Sequence, residues 1–181
     1  MRVPSYNEII DSGPALVRAQ WYLRSATSLG SKVRVWGKPL LRNRGRLIIG
    51  NRVRIASDVA TTELGVGPDG CLEIGDGVFI NYGCSIAATL SVKIGANCSI
   101  GSHVTMMDND FHHLDPERRN EIPPSSPIVL EENVWLGVRV VVLRGVTIGA
   151  GSVIAAGSVV VRDVPPRSLA GGMPAKVIRA I

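Results

Sequence analysis

The sequence predicts a mainly β solenoid of hexapeptide repeats, carrying a short N-terminal helix and a C-terminal tail. Three observations lead there. From Leu130 to Val164 the chain reads in sixes, LEENVW, LGVRVV, VLRGVT, IGAGSV, IAAGSV and VVRDVP. An aliphatic residue opens each hexad (Leu130, Leu136, Val142, Ile148, Ile154, Val160), and a small or β-branched residue follows four places on (Val134, Val140, Val146, Ser152, Ser158, Val164). Neither a helix nor simple strand alternation has this period; a β-helix, burying one aliphatic side chain per short strand, does. Second, hydrophobic residues make up 45% of the chain but aromatics only 4%, which suits a thin aliphatic core. Third, Asn133, Gly137, Gly145, Gly149, Gly151 and Gly157 recur where corners with positive φ are expected. With three hexads to a coil, one coil takes about 18 residues.

Residues 1–31 form an N-terminal segment. Residues 1–13 read as irregular, and Pro14–Leu29 as an amphipathic helix with Ser12 or Gly13 as N-cap and Gly30 as its stop. Leu16, Ala19, Leu23 and Ala26 line one face; Arg18, Trp21 and Ser28 line another. Packing on the first coil or on a neighbouring subunit is one expectation. Peripheral contact of residues 14–29 with a membrane surface is the other, since Trp21 between Arg18 and Arg24 suits an interface.

Residues 32–165 form the solenoid. Its entry, Lys32 to Arg46, is basic and loosely hexadic; IGNRVR and IASDVA are clear hexads, and TTELGVGPDGC is a turn-rich break. The hexads return with IGDGVF and INYGCS, slip by two residues around Thr89–Leu90, and continue as IGANCS and IGSHVT. A polar excursion over 106–127, MMDNDFHHLDPERRNEIPPSSP, is the longest interruption, and such departures from a regular scaffold usually carry function. Residues 166–181, a tail, leave the pattern.

At 181 residues the chain has the size of one domain. Its net charge of +5 is uneven: residues 1–54 hold 11 Lys/Arg and 2 acidic residues. That basic third suits an anionic partner or a solvated face. No aromatic-interleaved basic patch or nucleic-acid motif accompanies it, so nucleic acid is not an expected partner. No signal-peptide or membrane-spanning run is present in the sequence. Cys71, Cys84 and Cys98 lack metal spacing, and Cys84 and Cys98 fall on core places of hexads as reduced thiols, which points to the cytoplasm.

The excursion contains His112 and His113 beside Asp108 and Asp110, and an imidazole near a carboxylate suits general-base chemistry. Composition alone does not separate that role from a polar surface loop.

The hexads, the DNDFH stretch, the run ENVWLG and the closing AGGMPAKVIR together resemble the hexapeptide-repeat acyltransferases, and within them the sugar O-acetyltransferases of the maltose and galactoside type and of polysaccharide biosynthesis. The likeness covers about residues 45–181. It implies a left-handed parallel β-helix, a homotrimer, acetyl-CoA as co-substrate and a sugar or glycan hydroxyl as acceptor. It further implies His112 as the catalytic base, with His113 the weaker candidate, and Asn81 of FINYG as an active-site amide. Trp135, Gly137 and Ala156, with Arg162, Lys176 and Arg179, match its acetyl-CoA groove between subunits. Either Asp108 or Asp110 orients His112. An acidic residue that relatives carry after the asparagine has no counterpart in Ala87-Ala88-Thr89, which leaves acceptor specificity open. An amino-sugar nitrogen is the alternative acceptor. Further alternatives are a zinc enzyme using His103, His112 and His113 and a non-catalytic trimeric solenoid.

Overall fold

The computed structural model describes the backbone of residues 6–181 and the side chains of residues 13–181. After helix α1 (Tyr6–Tyr22) the chain winds through coils of three short strands each, every strand pairing in parallel with its counterpart one coil away. Coil one holds β1 (Ser28–Leu29), β2 (Arg34–Gly37) and β3 (Leu40–Asn43). Coil two holds β4 (Arg46–Ile49), β5 (Arg54–Ser57) and β6 (Glu63–Val66); coil three holds β7 (Cys71–Ile74), β8 (Phe79–Ile80) and β9 (Ser85–Ala88). Coil four is β10 (Ser91–Ile94), β11 (Ser99–Ile100) and β12 (Thr105–Met107). Coil five is β13 (Ile128–Leu130), β14 (Trp135–Leu136) and β15 (Val141–Val142). Coil six is β16 (Thr147–Ile148), β17 (Val153–Ile154) and β18 (Val159–Val160). A closing hairpin, β19 (Ser168–Gly172) and β20 (Ala175–Ala180), follows.

Three faces result. The first strands of the coils stack from β1 to β16, the second from β2 to β17, and the third from β3 to β18. The turn from second to third face forms one edge of the prism, here the second edge. The turn from the third face into the next coil forms the third edge.

The core is what the hexads demand. All six hexad-opening residues from Leu130 to Val160 are buried, as are the six residues four places later. Burying such an aliphatic side chain stabilises by about 1.5–3 kcal/mol, and the column continues back through Ile100, Ile80 and Ile55. Coils five and six repeat every 18 residues (Trp135↔Val153, Val141↔Val159), while coils three and four are 20 residues apart (Phe79↔Ser99, Ser85↔Thr105). The two-residue slip at Thr89–Leu90 is therefore a longer corner, with strand register intact.

The corner glycines are of two kinds. Asn133, Gly145, Gly151 and Gly157 adopt positive φ as expected. Gly137 and Gly149 do not; they are small because coils stack on them, and a Cβ on Gly137 would lie 2.6 Å from the Ala156 nitrogen.

Three expected boundaries move. Helix α1 ends at Tyr22 instead of Leu29, because Thr27 donates to the Leu47 carbonyl and Ser28 pairs with Ile48, so the sheet captures the expected last turn. The helix also begins earlier than Pro14, at Tyr6, so the segment before it is not all irregular; the side chain of Ser12 lies outside the described residues. Its buried face is Ala15, Ala19 and Leu23 rather than a row through Leu16, and it packs on β2. Met106 and Met107 belong to β12, so the excursion starts at Asp108. The tail, outside the hexad pattern, still joins the second face: β19 pairs with β17 and β20 folds back antiparallel to it.

Candidate active site

Along the second edge, each buried residue of the second face is followed by one that steps onto the corner: Ala56, Asn81, Gly101, Gly137 and Ala155. Asn81 donates its N–H to the Ile100 carbonyl at 2.9 Å, Gly101 to Leu136 at 2.9 Å, and Gly137 to Ile154 at 2.8 Å. The result is a straight wall with little side chain on it. Adjacent Trp135 is 56% exposed, so its indole stands out beside the wall. From Trp135 the face continues through Val153 and Leu169 to Arg179, three strand spacings or about 14 Å away. Lys176 lies on the same outer strand, and both cations are exposed.

The Asn81 side chain is held by its neighbour. Its Oδ1 accepts the Tyr82 N–H at 2.9 Å, which leaves Nδ2 without a hydrogen-bond partner among the described residues. Beside it, Thr62 is fully buried and holds its hydroxyl within reach of the Ala56 and Asn81 carbonyls at 2.8 and 3.2 Å. Thr62 ends a corner longer than its neighbours: Glu63 follows Ile55 by eight residues, while the paired Ser85 follows Ile80 by five.

The excursion leaves from the third edge, and its root is rigid. Asp108 is fully buried, and its carboxylate accepts the N–H groups of Thr89 at 2.8 Å and of Leu90 and Ser91 at 2.7 Å each. Asn109, also buried, donates from Nδ2 to the Pro123 carbonyl and to Ser125 Oγ, both at 2.8 Å, and so ties the two ends together. Within the loop a short 3₁₀ helix, Pro116–Arg118, is capped by Asp115. The carbonyl of Arg119, just after it, lies 3.0 Å from Nδ1 of His112. A carbonyl only accepts, so Nδ1 carries a proton, and in the neutral ring the lone pair is on Nε2. His113 has the opposite arrangement, since its Nδ1 accepts the Asp115 N–H at 3.2 Å.

Neither expected carboxylate orients His112. Asp108 is spent on three amides, and Asp110 pairs with Arg144, which also donates to Ser126 Oγ at 3.2 Å. His112, His113, Asp110 and Arg144 surround a hollow of about 220 Å³. Sequence reasoning missed Arg144, although a signal existed: it holds the same place in its hexad as Arg162 does one coil later. Arg162 accordingly sits on the third edge.

The expected site residues thus form two groups. Asn81, Gly137, Ala156, Trp135, Lys176 and Arg179 share the second face and its edge, while His112 and Arg162 share the third edge. No second-edge residue lines the His112 hollow of the same chain. His103 stacks edge-on to Tyr82 at 5.6 Å on the second edge, so the three histidines of the zinc alternative lie on two edges within one chain. Among the described residues no helix is long and apolar enough to cross a membrane.

The chain is similar to a solved hexapeptide-repeat acetyltransferase of Vibrio cholerae O1 biovar eltor, complexed with acetyl coenzyme A. The two are 32% identical, with 91% of this chain and 76% of that one covered and a TM-score of 0.67. The chain belongs to the hexapeptide-repeat acyltransferases. The family model described as bacterial transferase hexapeptide (six repeats) matches residues 127–162. Galactoside O-acetyltransferase of Escherichia coli strain K12 is 41% identical over 112 residues, 61% of this chain and 54% of that protein. A galactoside acetyltransferase solved in complex with coenzyme A is 29% identical, with a TM-score of 0.67 and coverage of 99% of this chain and 74% of that one. The chain spans about half the length of the curated relatives it matches.

Proposed function

We propose that this protein transfers an acetyl group from acetyl-CoA to a sugar hydroxyl, in a trimer whose sites join the second edge of one chain to the third edge of the next. The observation that carries the reading is the His112 ring, whose Nδ1 faces the Arg119 carbonyl and whose Nε2 is free to take a proton. The acceptor oxygen attacks the thioester carbonyl as its proton passes to Nε2. The free Nδ2–H of Asn81 donates to the oxyanion or the acceptor, and His112 then returns the proton to the departing CoA thiolate. The bare wall at Gly137 and Ala156 suits an extended pantetheine arm flanked by Trp135, and Lys176 and Arg179, with Arg162 from the adjoining third edge, suit the phosphates. Polysaccharide biosynthesis in the cytoplasm fits the basic N-terminal third. Exposed Val17 and Trp21 on the outer face of α1 suit a membrane surface, which flotation with anionic vesicles tests through the loss of binding in Trp21→Ala.

The test is complementation between subunits. His112→Ala and Asn81→Ala chains, each poorly active alone, are co-expressed and purified as mixed oligomers. The expected result is recovered acetyl transfer, because some sites combine an intact His112 with an intact Asn81. Activity no higher than the mean of the two parents would place both groups in one chain's site and defeat the proposal. Product stability in mild base separates an ester from the amide that an amino-sugar acceptor would give.

A further inference from the structure

Two hollows lie side by side at the N-terminal end of the second edge. One, of about 430 Å³, reaches from Asn81 and Tyr82 to Trp36 and Asp58. The other, of about 600 Å³, runs from the same Trp36 and Asp58 to Tyr22, Arg18 and Lys38. They share Trp36 and Asp58 and adjoin there as two stretches of one surface groove. Its course follows from the strand register. Trp36 pairs with Ala56, and Asn81 follows the Ile80 that pairs with Ile55, so Trp36 and Asn81 lie two strands apart, about 10 Å. The groove extends in a straight line the wall formed by Gly101, Gly137 and Ala156, with Asn81 between the two stretches. The long corner of coil two raises one side of it, and Thr62 clamps that corner onto the Asn81 carbonyl.

The chemistry is graded along this line. The end near Asn81 offers a half-buried indole from Trp36, the Tyr82 ring and the Asp58 carboxylate. That combination suits the apolar face and the hydroxyls of a pyranose. The far end is lined by Arg18, Lys38 and Tyr22, donors of the kind that suit a phosphate. Asp58, the one acid lining either hollow, stands with Trp36 where the two meet, and there its carboxylate suits sugar hydroxyls. We propose that this groove is the acceptor subsite for a glycosyl phosphate, with the sugar ring on Trp36 and Asp58 beside Asn81 and the phosphate between Arg18 and Lys38. The direction of binding rests on the acetyl-transfer reading, because it is Asn81 that marks the reacting end.

The test is calorimetry on the intact oligomer with pyrophosphate, glucose 1-phosphate, UDP-glucose, glucose on a polyprenyl diphosphate in detergent micelles, and plain glucose. At least one phosphorylated sugar is expected to bind about tenfold more tightly than glucose. Arg18→Gln/Lys38→Gln is expected to remove that advantage and to abolish pyrophosphate binding, while acetyl-CoA affinity stays unchanged. Tighter binding of UDP-glucose or of the polyprenyl form identifies the carrier. Trp36→Ala is expected to weaken every sugar probe without affecting pyrophosphate. Phosphorylated sugars that bind no better than glucose, or an unchanged profile in Arg18→Gln/Lys38→Gln, would overturn the proposal. Acetyl-CoA titrated into the same wild-type protein keeps the two readings apart: its failure to bind defeats acetyl transfer and leaves the phosphate result standing.

Discussion

The carbonyl oxygen of Arg119 faces Nδ1 of His112 at 3.0 Å, so a backbone group, supplied by the residue that closes a 3₁₀ turn, sets the tautomer of the proposed base. Removing the ring in His112→Ala is expected to lower kcat by about 10²–10⁴-fold, the usual worth of a general base, with acetyl-CoA affinity unchanged. His113→Ala, whose Nδ1 is occupied by a backbone amide, is expected to lose much less. Steady-state kinetics together with calorimetry check both. Equal losses in the two variants would show that His112 is not the distinguished ring.

Asp108 is a structural carboxylate. With three N–H groups bound and no solvent exposure, its removal in Asp108→Ala leaves an open polar corner and costs about 3 kcal/mol. For a chain of this length that corresponds to a fall in Tm of roughly 6–12 °C, read by calorimetry or circular dichroism. Asp108→Asn keeps an acceptor and is expected to lose less.

Stacking and backbone conformation make separate demands on glycine. Gly137→Ala drives a methyl group into backbone atoms of the next coil and is expected to cost about 2–3 kcal/mol. Gly157→Ala meets no atom within 4 Å but holds φ at +71°, for an expected cost of about 1–2 kcal/mol. Thermal unfolding should rank wild type above Gly157→Ala and that above Gly137→Ala.

The Asp110–Arg144 pair pins the excursion to coil five. The two side chains are 40% and 36% exposed, so a double-mutant cycle on stability is expected to return no more than about 1 kcal/mol. Its effect on catalysis is larger, because the pair holds the loop that carries His112: Arg144→Ala is expected to reduce kcat/KM by about tenfold through loss of positioning. Proteolytic nicking within residues 111–122 should rise in parallel.

Burial pushes the Cys84 and Cys98 thiols up to about 11 from the usual 9.0. Both stay protonated in the native state while the unfolded chain ionises near 9.0. The unfolded state therefore binds fewer protons above that pH, and stability falls between pH 9 and about 11, by roughly 2 kcal/mol for each thiol. Chemical denaturation across that range checks the slope, and Cys84→Ser/Cys98→Ser should flatten it. Iodoacetamide at pH 8 is expected to label Cys71, which is only half-buried, ahead of the other two.

The chain's periodicity made much of this fold legible. A hexad needs only its own six residues to specify a strand and a corner, so the column from Leu130 to Val160 could be read directly, as could the excursion that interrupts it. The N-terminal helix was less legible, because helical pattern in Leu23–Leu29 competes with pairing to β4, a partner about twenty residues away. The role of Asp108 was hidden for the same reason. Beside His112 in sequence it looks like a catalytic partner, yet its carboxylate faces the three successive amides of Thr89, Leu90 and Ser91 one coil away.

What the sequence determined by itself is the solenoid, its buried column and the polar excursion that interrupts it. Each of these depends on residues within one hexad or one loop. Only the tertiary structure decided which edge of the prism each functional residue occupies. That position is fixed by the summed lengths of all the preceding corners, and a single extended corner, such as the one that ends at Thr62, shapes a groove no local pattern announces. It put Asn81, Trp36 and Gly137 on one straight wall and His112 on another edge, because parallel stacking brings together residues that are a full coil or more apart in the chain.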